Sequence, residues 1–212
     1  MPNDEYYEHV RLELIEQIPK SVTKILDVGC GSGQTGVHLK KTRGDDLEVV
    51  GIEYVESVGK IAAKNLDRIF IGNVEELTLP FPSGYFDCIL YGDLLEHLVD
   101  PWRVLVNHAQ LLNDEGCVVA SIPNIAYFKV ISMLKNGDWK YEQAGIMDKT
   151  HLRFFTYSSI LEMFENADLE AVIVDKTLGG PKPIRALSQF LPKRWANRYV
   201  QQYIMRATKK KC

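Results

Sequence analysis

The sequence predicts an α/β fold in which helices cover both faces of a parallel β-sheet. Short apolar, strand-like runs alternate with stretches of helical spacing, and Gly and acidic residues mark the joins. Such alternation is typical of strands connected by helical crossovers. A chain of 212 residues is long enough to bury one core, so residues 1–212 are expected to form a single domain.

The first two thirds of the chain carry this alternation most clearly. The first helix is predicted because Tyr7, Val10, Leu14 and Ile15 recur at three-to-four spacing before Pro19. The strands are predicted from short apolar runs bounded by turn-forming residues. Helices are expected over 5–18, 34–41, 56–66 and 101–112, and strands over 24–28, 48–52, 68–71, 87–91 and 117–122.

The pattern loosens after Pro123. Residues 124–155 read as an insertion on the substrate side, with a helical part at 124–134 and an irregular part at 135–155, because connections this long often form binding loops or lids. A basic segment interrupted by Gly and Pro at 179–198 precedes the last strand. The remaining elements are a helix over 157–167 and strands over 170–175 and 199–206.

Composition excludes some classes of protein. Hydrophobic residues make up 46% of the chain and charged residues 25%, as in ordinary soluble domains, and no apolar run has the length of a membrane span. The acidic N-terminus lacks the features of a secretory signal, which indicates a cytoplasmic protein. Cys30, Cys88, Cys117 and Cys212 lack paired spacing and are expected to be reduced thiols.

Charge is unevenly distributed. Residues 176–212 contain ten Lys/Arg and no Asp/Glu, although the whole chain has a net charge of −3. Such a segment suits an anionic substrate, nucleic acid or a membrane surface, or it is a solvated basic end docked on the acidic body. The sequence gives no indication of the oligomeric state.

A glycine-rich turn follows the first predicted strand. Gly29, Gly31 and Gly33 alternate directly after Val28 and before a predicted helix. Glycine lets the backbone approach a ligand closely, and the start of the helix offers unpaired amides. The turn therefore predicts a binding site for an extended ligand. Gly31 and Gly33, with Gly36, also match the G-x-G-x-x-G spacing of dinucleotide sites.

Two acidic residues refine this prediction. Asp27 stands two residues before the first glycine, where a carboxylate would repel a pyrophosphate but attract the ammonium of a methionyl group. Glu53 ends the second strand, where a carboxylate can accept hydrogen bonds from a ribose diol. Asp27 therefore favours S-adenosylmethionine over a dinucleotide.

Four motifs in order resemble those of class I S-adenosylmethionine-dependent methyltransferases. They are Asp27–Gly33, Gly51–Glu53, Ile71–Leu77 and Phe86–Leu98. The resemblance implies a Rossmann-like, seven-stranded, mostly parallel sheet with helices on both faces and an antiparallel last strand. It also implies a cofactor site that includes Asp27, Gly29, Cys30, Gly31, Gly33, Glu53, Asn73, Val74 and Asp93.

The third and fourth motifs assign roles within this site. Asn73 stands where the family usually carries the Asp that contacts adenine, and its side-chain oxygen can still accept from the adenine amine. Asp93, at the end of the fourth strand, is placed beside the methionyl group or else caps a helix.

The flanking segments resemble bacterial methyltransferases linked to O-antigen and other surface glycans. The segments are Tyr6-Tyr7 with Arg11, Asp100–Trp102, Thr150–Thr156 and Gln202-Tyr203. This resemblance implies O-methylation of a glycan or small-molecule hydroxyl, in polysaccharide biosynthesis. By the same resemblance Arg11 reaches the cofactor's carboxylate, although a salt bridge on a helix surface would explain it equally.

Glu96, His97 and His151 are the candidate catalytic residues. His97 or His151 could act as the general base toward the acceptor. With Asp93, they could instead hold a divalent metal, because Asp93 and Glu96 are three residues apart and could face one cavity from a helical turn. The sequence 93–97 and a later His also resemble metal-using O-methyltransferases of ubiquinone synthesis and small-RNA ends. Glu96 and His97 could also merely cap a helix. Tyr127, Trp139, Phe154 and Phe155 are candidates either for an acceptor pocket or for the core.

Three further functions remain open at this point, one of which is a catalytically silent partner protein that binds the cofactor. An RNA or other nucleic-acid methyltransferase would use the basic C-terminal region on phosphates. An NAD(P)-binding oxidoreductase shares the glycine turn. The acceptor itself cannot be identified from the sequence.

Overall fold

A seven-stranded β-sheet forms the centre of the fold in a computed structural model that describes residues 10–44, 46–179 and 192–210. The strands are β1 (Lys24–Val28), β2 (Glu48–Glu53), β3 (Arg68–Ile71), β4 (Phe86–Gly92), β5 (Leu112–Pro123), β6 (Leu169–Leu178) and β7 (Val200–Lys209). Their order is β3-β2-β1-β4-β5-β7-β6, and β7 alone runs antiparallel to both of its neighbours. This arrangement confirms the predicted Rossmann-like sheet with an antiparallel last strand.

Helices connect the strands. Among the described residues they are α1 (Leu12–Ile15), α2 (Gln34–Arg43), α3 (Glu56–Ala62), α4 (Pro101–Ala109), α5 (Phe128–Lys135), α6 (Tyr157–Glu165) and α7 (Lys193–Ala196). Two 3₁₀ turns span Leu95–His97 and Asn197–Tyr199. Asp100 caps the start of α4 by accepting from the Arg103 amide, and Thr156 caps α6 in a reciprocal pair with Ser159.

The central strands are buried on both faces. In β1, Leu26 and Val28 face one apolar cluster and Ile25 faces the other, and all three are fully buried. Two-sided burial explains why these strands are continuous apolar runs rather than alternating patterns. In register, Val28 pairs with Ile52 of β2 and Tyr91 of β4, so these three strands end together at one edge of the sheet. Ligands of open parallel sheets bind at this edge.

Several element boundaries differ from the prediction. The helix expected over 101–112 ends at Ala109, because Leu112 already pairs with Phe86 and begins β5. The start of β5 was missed since Asn113, Asp114 and Glu115 give no apolar signal. The helix expected over 56–66 ends at Ala62.

Some predictions fall outside the described residues. These are the first part of the helix expected over 5–18, most of the basic segment 179–198, and Cys212. Cys30, Cys88 and Cys117 are buried free thiols, as expected. In the described part of the chain, no helix is long and apolar enough to cross a membrane.

Candidate functional site

The glycine turn predicted after β1 lies at the edge where β1, β2 and β4 end. Gly29, Gly31 and Gly33 have φ angles of 76°, 56° and 82°, in the left-handed region that favours glycine. A side chain at Gly29 would also approach Leu94 to 3.1 Å. The turn therefore needs glycine for its conformation, and it leads directly into α2 at Gln34.

Glu53 is fixed beside this turn. Its buried carboxylate accepts from the Gly31 amide at 3.0 Å and from the Val55 amide at 2.8 Å. These two bonds join the end of β2 to the glycine turn and hold the carboxylate at the wall of a cavity. Carboxylate oxygens have further lone pairs, so Glu53 can still accept from a ligand.

The cavity has a volume of about 660 Å³. Nine of the ten residues predicted to bind the cofactor line it, namely Arg11, Asp27, Gly29, Cys30, Gly31, Glu53, Asn73, Val74 and Asp93. Gly33, the tenth, lies outside the lining and begins α2. Binding of the cofactor by these residues stays a prediction, but the structure brings them around one space.

Asp27 has an unusual electrostatic environment. Only 7% of the residue is exposed, and this burial raises the pKa of its carboxyl to about 7. The Arg11 guanidinium opposes that rise in pKa, while the Glu53 carboxylate adds to it. A cation placed in the cavity would therefore stabilise the charged form of Asp27.

Asp93 is held in a network of its own. It has a left-handed φ of 51°, precedes the 3₁₀ turn, and forms an ion pair with Arg11. Its Oδ1 accepts from Ser121 Oγ at 2.7 Å and from Gln202 Nε2. The sequence left open whether Arg11 contacts the cofactor's carboxylate or forms a salt bridge. In the structure Arg11 forms a salt bridge, and both of its partners line the cavity.

This network corrects the predicted four-residue metal set. The spacing of Asp93 and Glu96 suggested one face of a helical turn, but Asp93 lies before that turn and its oxygens bind Arg11, Ser121 and Gln202. Leu94, not Asp93, is at the cap position of the turn. Asp93 is therefore not grouped with the other three candidate ligands.

Glu96, His97 and His151 do come together. One potential ligand atom from each lies within 4.8 Å of the others, and the two imidazole rings are 4.7 Å apart. The backbone joins these elements, because the amides of Leu152 and Arg153 donate to the Glu96 carbonyl at 2.8 and 3.0 Å. His97 lines the cavity, while Glu96 and His151 are buried and are not among the lining residues.

Both histidines place Nδ1 against a backbone carbonyl. His97 Nδ1 lies 3.2 Å from the carbonyl and from the hydroxyl of Thr150, and His151 Nδ1 lies 3.1 Å from the Ile146 carbonyl. Since carbonyls only accept, these contacts suit the tautomer that carries a proton on Nδ1, in which a neutral ring has its lone pair on Nε2. Burial lowers the pKa of His151, and the neighbouring His97 lowers it further, which favours the neutral ring.

Glu96 is the most deeply buried member of the cluster. It is 1% exposed, and its Oε2 has no hydrogen-bond partner among the described residues. Burial raises the pKa of this carboxyl well above its usual range, and the charge of Asp93 adds to the rise. An orphaned buried oxygen of this kind is unusual in a folded protein.

The turn after β3 shows how Asn73 acts in the structure. Its Oδ1 accepts from the Glu75 amide at 3.0 Å, and its Nδ2 donates to Glu76 at 3.1 Å. The side chain thus shapes the turn, while Val74 and the residue itself line the cavity. The predicted adenine contact through Oδ1 would use the remaining lone pair.

Comparison with known proteins identifies the family. The profile of a family described as "Methyltransferase domain" matches residues 3–174. The chain belongs to this methyltransferase family. Its cofactor is S-adenosylmethionine, which excludes the dinucleotide suggested by the G-x-G-x-x-G spacing.

Two relatives and one solved structure resemble this methyltransferase. Demethylmenaquinone methyltransferases of Listeria welshimeri and Shouchella clausii are 26% and 28% identical over 176 residues, covering 74% of this chain and 75% of each relative. An S-adenosylmethionine-dependent methyltransferase of Archaeoglobus fulgidus has a TM-score of 0.66 at 18% identity, covering 98% and 95% of the two chains. The quinone name of these relatives does not support the predicted association with surface glycans.

The sequence did not reveal every lining residue. Tyr54 follows Glu53, is 74% exposed and lines the cavity, as does Thr150 from the long insertion. Tyr54 could have been found from its place directly after the acidic strand end, whereas Thr150 has no local signal. Tyr127 and Phe155 are core residues, each 2% exposed, and neither Trp139 nor Phe154 lines the cavity.

Proposed function

We propose that this methyltransferase transfers the methyl group of S-adenosylmethionine to a hydroxyl of a small, lipid-soluble, quinol-like acceptor. The observation that carries the proposal is that His97, whose Nδ1 lies against the Thr150 carbonyl, lines the same cavity as Asp27 and Glu53. The name of the two relatives supports a quinone-like ring. Apolar side chains also line the cavity, among them Leu94 and Leu98.

Asp27 and Glu53 would orient the cofactor. In this proposal Asp27 pairs with the methionyl ammonium, and Glu53 accepts from the ribose hydroxyls. The glycine turn lets the cofactor lie against the backbone. Together these contacts would direct the sulfonium methyl toward the acceptor, and alignment of this kind supplies much of the rate enhancement of a displacement reaction.

His97 would act as the general base. Its Nε2 takes the proton of the acceptor hydroxyl, the acceptor oxygen bonds to the methyl carbon, and the carbon–sulfur bond breaks with its electron pair moving to sulfur. The Nδ1 proton is held by Thr150, whose hydroxyl donates in turn to Asp148 at 2.7 Å. This chain of hydrogen bonds would stabilise the imidazolium.

A divalent metal would also fit the Glu96, His97 and His151 cluster. The Nδ1 of each histidine lies against a backbone carbonyl, an arrangement common among metal-binding histidines, and Glu96 Oε2 has no hydrogen-bond partner among the described residues. Two imidazoles and one carboxylate suit a transition metal. When bound, such an ion would lower the pKa of a coordinated hydroxyl.

The test measures S-adenosylhomocysteine release with a short-chain naphthohydroquinone, a glycan and a single-stranded RNA as acceptors. We expect turnover with the hydroquinone. His97→Gln should lower kcat by about 10²- to 10⁴-fold, the usual contribution of a general base. His38→Gln, at a position of α2 that does not line the cavity, is the matched control and should behave as wild type.

Three results would contradict the proposal. Turnover confined to the glycan would favour the glycan acceptor suggested by the flanking motifs. Turnover confined to RNA would favour a nucleic-acid acceptor whose phosphates bind the basic C-terminal region. If His97→Gln retained the wild-type kcat, His97 would not be the general base. Calorimetry with S-adenosylhomocysteine checks that the variant retains the cofactor site.

A further inference from the structure

All three tryptophans of the chain are exposed at the same edge of the sheet. Trp102, Trp139 and Trp195 are 39%, 39% and 44% exposed, although tryptophan is highly buried on average. Trp102 begins α4 after the end of β4, Trp139 follows β5 within the long insertion, and Trp195 precedes the start of the antiparallel β7. These are the strand ends near which the cofactor cavity opens.

Other apolar side chains extend this surface. Val99, Tyr141 and Leu152 are 60%, 57% and 48% exposed, and the Trp139 ring lies 6.3 Å from that of Tyr141. We call the six residues Val99, Trp102, Trp139, Tyr141, Leu152 and Trp195 the tryptophan edge. The long insertion connects the tryptophan edge to the candidate catalytic residues, because the Leu152 amide donates to the carbonyl of Glu96, next to His97.

Cations accompany the tryptophans. The Arg198 guanidinium lies 4.3 Å from the centre of the Trp195 ring, and that of Arg153 lies 5.9 Å from the Trp102 ring. The three segments that carry the tryptophan edge, 99–103, 128–153 and 192–199, together contain nine Lys/Arg and four Asp/Glu. This edge is therefore basic within a chain of net charge −3.

We propose that the tryptophan edge docks on the surface of an anionic lipid bilayer. Tryptophan and tyrosine favour the interface between headgroups and acyl chains, and basic residues are attracted to anionic lipids. Shallow insertion of apolar side chains with a cationic surround is how proteins without a spanning helix bind membranes. Charge complementarity thus identifies the occupant of this surface.

Docking would place the cavity mouth at the membrane. The inference rests on the proposed function, because a lipid-soluble acceptor resides in the bilayer and would reach His97 from that side. Single-stranded RNA also stacks on aromatic rings beside arginines. Val99 and Leu152 offer no ring for base stacking, however, and their exposure favours the bilayer.

The experiment needs no acceptor and no turnover, so its failure is distinct from failure of the proposed function. Vesicles of phosphatidylcholine with about 30% phosphatidylglycerol are mixed with the protein and floated, and tryptophan emission is recorded. We expect binding, a blue shift because every tryptophan lies on the edge, and release at high salt. Trp139→Ser/Trp195→Ser should weaken binding by about tenfold or more.

The control is Val172→Thr, which removes an exposed apolar side chain in β6, away from the tryptophan edge. It should bind vesicles like wild type, and all variants should bind S-adenosylhomocysteine equally. Absence of wild-type binding to the vesicles would overturn the proposal. Equal binding by the double variant, or a blue shift produced by single-stranded RNA and not by vesicles, would overturn it too.

Discussion

Asp27 shows how one buried side chain links folding, ligand binding and pH. Its pKa of about 7 in the folded chain lies above the ordinary value of 3.8, because burial disfavours the carboxylate. Between these pH values the folded state binds more protons than the unfolded state. The stability contributed by Asp27 is therefore greatest at low pH and is lost as pH rises through about 7.

Cofactor binding should have the opposite pH dependence. If Asp27 pairs with the methionyl ammonium, binding requires the carboxylate, and affinity for S-adenosylhomocysteine should rise from pH 5.5 to 7.5. Below the pKa of about 7 the gain approaches about tenfold per pH unit. Calorimetry in buffers of different ionisation enthalpy would detect the released proton.

Asp27→Asn is the matched variant for this measurement. It should bind more weakly than wild type and show a flat profile over the same pH range. An unchanged pH profile in Asp27→Asn would mean that another group titrates. Equal affinity of the two proteins at pH 7.5 would remove Asp27 from the cofactor site.

The placement of residues around the cavity was predictable where it depends on local position. Asp27 and Glu53 were identified because acidic residues at strand ends beside a glycine turn face the ligand edge of a parallel sheet. Asp93 lines the cavity as predicted, but its absence from the cluster of Glu96, His97 and His151 could not be foreseen, because two of its partners, Ser121 and Gln202, are 28 and 109 residues away. Such tertiary contacts leave no trace in local spacing.

At the level of elements, the contact between the 3₁₀ turn Leu95–His97 and the long insertion brings the candidate catalytic residues together. The turn presents Glu96 and His97, and the insertion supplies His151. The sequence suggested this grouping only by resemblance, since 54 residues separate His97 from His151. In the structure, the hydrogen bonds from the Leu152 and Arg153 amides to the Glu96 carbonyl hold the turn and the insertion together.

The metal hypothesis is testable by binding alone. We expect protein stripped with EDTA to take up one equivalent of Zn²⁺ or Mn²⁺ in equilibrium dialysis, because two imidazoles and a carboxylate converge. Glu96→Gln and His151→Ala should each weaken uptake by at least about tenfold. Asp93→Asn is the control and should retain uptake, as Asp93 lies outside the cluster.

Failure of the stripped wild type to bind either ion would exclude the metal site and leave the Nε2 of His97 available to act as the general base. If Asp93→Asn lost the metal as completely as Glu96→Gln, the four-ligand set read from the sequence would be restored. Because the readout is bound metal, neither result depends on knowing the acceptor.

Across the whole molecule, the central parallel strands were easier to predict from the sequence than the direction and length of β7. Buried parallel strands produce the apolar runs that revealed β1, β2 and β4. The reversed direction of β7 has no periodic signature and followed only from the family resemblance. Pairing with β6 and β5 extends β7 to Lys209, beyond the predicted end, because long-range ladders stabilise residues that lack an apolar pattern.

The cavity is a property of the whole fold, since α1, the ends of β1, β2 and β4, the turn after β3 and the insertion all line it. A ligand that binds there stabilises all of these elements together. S-adenosylhomocysteine at 100 times its Kd should add about 2.7 kcal/mol to the free energy of unfolding. For a chain of this size that corresponds to a rise in Tm of about 5–10 °C.

NAD⁺ should leave Tm unchanged in the same thermal scan. Its pyrophosphate would lie at the glycine turn, next to the carboxylates of Asp27 and Glu53, and no described residue with a positive charge other than Arg11 lines the cavity. Arg11 is already paired with Asp93. Glu53→Ala should lose most of the shift produced by S-adenosylhomocysteine, whereas Glu56→Ala, on the exposed surface of α3, should keep it. A comparable rise in Tm with NAD⁺ would show that the two carboxylates do not select the ligand.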